Sequence, residues 1–86
     1  MLSNQETEHA LALNAADPAA MAAAAELGNL FGAPISATYT PEMVDLIAEY
    51  QASVGLVVDG IVGPETRRRL AKASLRRGRR LLAPLA

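Results

Sequence analysis

The chain contains no cysteine and no tryptophan, and only one phenylalanine, two tyrosines and one histidine. Without cysteine there are no disulfide staples, thiolate zinc sites or cysteine nucleophiles. With so few aromatic rings, the broad flat surfaces that stack on sugars or bases are scarce. His9 alone is too isolated to join Ser3, Ser36, Ser53 or Ser74 in a nucleophilic triad. No apolar run approaches the eighteen or so residues that span a bilayer. The first residues carry Glu6 and Glu8 where a secretory leader carries Lys or Arg, so no signal peptide is expected. Synthesis in the cytoplasm follows from that reading.

What is present is 86 residues, enough for one domain, with a hydrophobic content of 51% that leans on alanine. A domain of about 60 residues removes only roughly 60% of its unfolded surface from water, so tight helix packing is needed. The formal net charge of -1 conceals a polarity along the chain: all nine acids lie within residues 1–66 and all eight bases within 67–86. The two ends are electrostatic opposites.

Helix signals recur. Ser3 with Glu6 fits a capping box opening a short helix to about Ala15, with Ala10, Leu11 and Leu13 as its apolar residues. Asp17-Pro18 fits an N-cap and first helical residue, because Asp accepts from free N–H groups and Pro has none to lose there. The alanine-rich stretch from Ala19 to Leu30 has high helix propensity, and Gly28 or Gly32 can close it. Thr40-Pro41 repeats the start signal, and Met43, Ile47, Tyr50 and Val54 recur at three- and four-residue steps before Gly55. Pro64 starts a last helix predicted to run to about Arg77, where Gly78 stops it. The segment from Thr40 to Ile47 can be laid over that from Gly63 to Leu70 as a weak internal repeat. Between them, Val57-Val58-Asp59-Gly60-Ile61-Val62 carries a hairpin-turn signal with too few residues on each side for a stable sheet.

Gln51, Gly55-Leu56, Asp59-Gly60, Gly63-Pro64 and Thr66, in that order, resemble the second half of the peptidoglycan-binding-like domain family. The likeness is close over Thr40–Leu70 and looser over Ala20–Tyr39, where Met21, Ala24, Leu27 and Gly28 stand for the family's first helix. Met43 stands where the family usually has Thr, and Tyr50 where it usually has Phe. The resemblance implies an all-α fold: a small orthogonal three-helix bundle over residues 17–75, here with an extra N-terminal helix in 1–16 and a basic C-terminal helix or tail in 76–86. It also implies that Leu56, Val58 and Ile61 tuck under the helices while Asp59 braces the turn. Gly55, Gly60 and Gly63 are expected where a Cβ would be costly.

The same resemblance implies a non-catalytic module that recognises bacterial cell-wall peptidoglycan by a shallow groove beside Asp59-Gly60. Tyr39, Tyr50, Gln51, Asp59, Gly60 and Thr66 are its candidate ligand residues, Tyr39 being the one placed to stack on a sugar or peptide. Gln51 and Thr66 also have a structural reading, bonding loop and helix-end backbone, and Asp59 reads equally as a turn brace. Tyr50 falls on the core face of its helix. No cofactor or metal is implied. Glu42, Asp45 and Glu49 share a solvated helix face, with no neighbours in the sequence that would split their pKa values into an acid/base pair.

On a helix Arg68, Lys72, Arg76 and Arg80 form one cationic stripe, widened by Arg69, Arg77 and Arg79. Partner or anion binding is therefore assigned to Arg68, Lys72, Arg76, Arg77, Arg79 and Arg80. An acidic protein surface, including the acidic part of another copy, suits them, with Leu81, Leu82 and Leu85 as anchors. This supports an alternative function as a structural or assembly component of a larger particle such as a bacteriophage virion. Nucleic acid is a third partner, served by Arg and Lys but without interleaved aromatics; an anionic membrane surface is a fourth.

Overall fold

A computed structural model describes residues 2–33 and 35–72, and their backbone forms four helices and no strand. The first three are α1 (Asn4–Ala15), α2 (Pro18–Phe31) and α3 (Pro41–Ser53). The fourth, α4, is described over 64–72. The predicted stop at Arg77-Gly78 and the tail 76–86 lie outside the described residues.

Each start signal operates as its chemistry dictates. The Ser3 hydroxyl accepts from the Glu6 N–H at 3.1 Å while Glu6 Oε1 accepts from the Ser3 N–H at 2.9 Å. Donation from the Ser3 N–H, with the Ser3 hydroxyl beside it, holds the Glu6 carboxyl below its usual pKa. Asp17 Oδ1 accepts from the Ala19 N–H at 3.0 Å, and the Thr40 hydroxyl from the Met43 N–H at 3.3 Å. At the other end of α2 the choice between two glycines is resolved. Gly32 adopts the left-handed conformation, with φ 68°, and caps the helix. Gly28 stays helical and buried, because Ile35 and the Ala33 carbonyl occupy the space a Cβ would need.

Ala20, Ala23, Ala24 and Leu27 form the buried stripe of α2, and their small side chains let it approach Met43, Val44 and Ile47 of α3 closely. Val54, the end of the predicted α3 stripe, is only half-buried. Ala10 of α1, Val62 of the loop and Leu70 of α4 close the same core. The segment 1–16 thus supplies core residues rather than hanging beside the bundle.

The loop between α3 and α4 corrects two expectations. Val58 is 39% exposed and Val62 is the buried valine instead, with Leu56 and Ile61 half-buried. The turn crosses under α1, with Val62 inside the core and Ile61 packed against its edge. Gly55 and Gly60 have φ of 77° and 71°, where a side chain is strained. Gly63 lies outside that region with open space around it, so a Cβ there is harmless.

Candidate loop-cleft binding site

Gln51 organises the loop. It projects from the last turn of α3 with 1% exposure. Its Nε2 donates to Asp59 Oδ1 at 2.9 Å, Ile61 O at 3.0 Å and Thr66 Oγ1 at 3.0 Å. An amide nitrogen has two hydrogens, so one of the three acceptors shares. Its Oε1 accepts from the N–H groups of Asp59 at 3.1 Å and Gly60 at 2.9 Å. Asp59 Oδ1 also accepts from the Ile61 N–H at 2.9 Å, closing the turn.

A second side chain holds the loop from the other side, and sequence reasoning missed it. Asn14, 2% exposed, donates through Nδ2 to Gly60 O at 2.8 Å and accepts at Oδ1 from the Val62 N–H at 3.0 Å. Nδ2 also lies 3.3 Å from the Tyr39 hydroxyl. Two buried amides, one from α1 and one from α3, thus satisfy the backbone of residues 59–62 in place of a β-ladder. No described buried side-chain nitrogen or oxygen lacks a partner.

The fastened loop forms one wall of a cleft of about 430 Å³ whose other wall is the start of α4. Leu56, Val57, Ile61 and Pro64 give it apolar surface, and Asp59 and Glu65 place carboxylates beside them. Val57 is 80% exposed at the rim. Glu65 also pairs with Arg68 at 3.2 Å on the open surface, a contact worth less than about 1 kcal/mol.

The six predicted ligand residues divide. Gln51, Asp59 and Thr66 border the cleft, although Gln51 and Thr66 direct their polar atoms inward to each other. Gly60 is buried on the opposite side of the turn against Val44 and Leu2. Tyr39 is 6% exposed in the core, and burial pushes its phenol up to about 12 against the opposing pull of the Asn14 hydrogen bond. Its ring therefore has no free face for stacking, contrary to the expectation from its place in a connector. Tyr50 is likewise buried; burial raises its phenol, with the Arg69 charge acting the other way. The exposed aromatic ring is Phe31, at the end of α2 and outside the cleft lining.

The family model described as a putative peptidoglycan binding domain matches residues 25–70, more than half of the chain. The chain belongs to this family. The match begins inside α2 and ends at Leu70, so this peptidoglycan-binding-like module carries its α1, with Asn14, outside the matched region. Neither the curated proteins nor the solved structures include a match to it.

Other chemistry is thinly provided. Glu42, Asp45, Glu49 and His9 are all exposed. Among the described residues no three His, Asp or Glu side chains gather to hold a metal ion, and no helix is long and apolar enough to cross a membrane. Of the cationic stripe, Arg68, Arg69 and Lys72 are exposed on α4 and Arg67 meets Asp17 at 3.5 Å. Arg76, Arg77, Arg79 and Arg80 lie outside the described residues.

Proposed function

We propose that this module recognises bacterial cell-wall peptidoglycan without catalysis, through the cleft between the 55–63 loop and α4. The observation that carries this reading is the apolar rim of exposed Val57 and half-buried Leu56, set beside the Asp59 and Glu65 carboxylates at the segment that bears the family motif. The loop is held in advance by Gln51 and Asn14, so binding would not have to order it.

The chemistry of the cleft favours the peptide part of the wall polymer over its glycan. Small apolar surfaces suit alanine methyl groups, and two carboxylates suit the ammonium of a diamino acid. Sugar stacking would need an exposed aromatic ring, and the cleft lining has none.

Co-sedimentation with purified sacculi tests the reading. The wild-type chain is expected to sediment at moderate salt. Val57→Asp, at a position exposed enough to leave the fold intact, should weaken retention at least about tenfold, roughly 1.4 kcal/mol. Retention unaffected by Val57→Asp and abolished by salt alone would instead indicate charge attraction by the basic end of the chain.

A further inference from the structure

A second groove, of about 300 Å³, lies on the other side of the loop from the cleft. Leu2, Ala48, Ala52 and Val58 line it with apolar surface, and Asp45 and Glu49 supply carboxylates one helical turn apart. Val57 belongs to the cleft and Val58 to this groove, so the alternation of the two valines separates the surfaces. Five of its six lining residues fall within the matched region, and Leu2 from outside that region completes it.

The chain itself carries a segment with the complementary chemistry. Residues 76–85 hold Arg76, Arg77, Arg79 and Arg80 followed by Leu81, Leu82 and Leu85, cations and aliphatic anchors in ten residues. An acid-rimmed apolar groove and a basic segment ending in leucines match in both charge sign and apolar character. We propose that the groove receives the C-terminal segment of a second copy of this chain, forming a head-to-tail assembly.

The placement of α4 favours a second copy over the same chain. Leu70 and Ala71 of α4 lie beside Ala19, Ala22 and Ala23 of α2. The Arg69 charge acts on Tyr50, and Tyr50 is about 160° around α3 from Ala48 and Ala52. The described part of α4, through Lys72, therefore runs on the flank of the bundle away from the groove. Each copy has one groove and one tail, so the contact is heterologous, and it propagates into rings or open chains rather than stopping at a two-fold dimer. Most of the attraction is between exposed charges, so it weakens with salt as the Debye length falls from about 10 Å at 0.1 M to about 3 Å at 1 M.

The test is sedimentation equilibrium of the full chain over a concentration series at low and high salt, without peptidoglycan. That choice keeps its outcome independent of the cleft. The expected result is an average mass that rises with concentration at low salt and returns to the monomer value at high salt. Asp45→Lys with Glu49→Lys should weaken association at least about tenfold, and Arg76→Glu with Arg80→Glu should do the same. An equimolar mixture of the two variants should associate again, because the unaltered C-terminal segment of the groove variant meets the unaltered groove of the other. Far-UV circular dichroism checks that both remain helical; if the groove reversal perturbs folding, Ala52→Arg, which fills the groove from an exposed position, replaces it. A monomer at every concentration, association indifferent to the groove variants, or a mixture that stays monomeric would overturn the proposal. So would a salt-sensitive compaction that does not depend on concentration, which would place the tail on its own groove.

Discussion

Replacing Gln51 by Glu changes one NH2 group into an oxygen and tests whether this amide holds the loop. The two backbone bonds accepted by Oε1 survive. The three contacts made by Nε2, at 2.9 to 3.0 Å, become oxygen facing oxygen. The Thr66 hydroxyl can turn and donate, but Asp59 Oδ1 and Ile61 O cannot. Asp59 Oδ1 keeps the Ile61 N–H and Ile61 O keeps the Gly63 N–H, so no acceptor is orphaned; the two lost bonds, a new carboxylate set against the Asp59 carboxylate, and a charge desolvated at a site 1% exposed together give a penalty of about 3–5 kcal/mol at neutral pH. In a domain this small that is a large share of a total stability of about 5 kcal/mol. Protonation restores a donor, so the introduced carboxyl must have a folded-state pKa above its unfolded value. Its deficit is therefore small below the ordinary carboxyl range and grows as pH rises through the folded-state value. Urea unfolding of both proteins at about pH 4 and pH 7 measures this. A difference below about 1 kcal/mol at pH 7, or one equal at both pH values, would refute the role assigned to Gln51.

Three further outcomes follow from the same geometry. Asn14→Ala leaves Gly60 O and the Val62 N–H without their partner and should cost about 2–4 kcal/mol, with faster amide exchange at Val62 as the readout; unchanged exchange would mean that α1 does not fasten the loop. Gly60→Ala combines left-handed strain with a Cβ 2.7 Å from Val44 Cγ1 and should cost more than about 2 kcal/mol, whereas Gly63→Ala in open space should be neutral or stabilising by up to about 1 kcal/mol; equal effects in thermal melts would contradict the loop geometry. Tyr39 keeps its proton to about pH 12 when folded but loses it near pH 10 when unfolded, so its contribution is intact below pH 10 and about 2 kcal/mol is lost between those values; phenolate absorbance appearing at pH 10 without unfolding would contradict its burial.

The helix starts were legible because their chemistry is local. Ser3 with Glu6, Asp17-Pro18 and Thr40-Pro41 each satisfy free N–H groups within three residues, so sequence spacing determines them. The family motif likewise carried the Gln51 and Asp59 turn, whose partners lie within fifteen residues. Asn14 was illegible for the opposite reason, since its partners are 46 and 48 residues away. An Asn in a helix looks like a solvated interruption until another segment brings unpaired backbone to it. The misplacement of Tyr39 has the same origin: a connector aromatic reads as exposed, and its cover comes from the distant α1. The exchange of Val58 for Val62 depends on which side of the loop α1 occupies, which local alternation does not specify. The cleft's outer residues, Val57 and Glu65, carried no signal beyond lying next to the motif.

The most direct test of the recognition account is a titration of the isotopically labelled full chain with soluble peptidoglycan stem-peptide fragments, followed by amide chemical shifts. The account predicts shifts concentrated at Leu56, Val57, Asp59, Glu65 and Thr66 around the cleft, saturating with ligand and absent in Val57→Asp. Shifts confined to the groove at Asp45 and Glu49, or no shifts with fragments while intact sacculi still retain the protein, would contradict it.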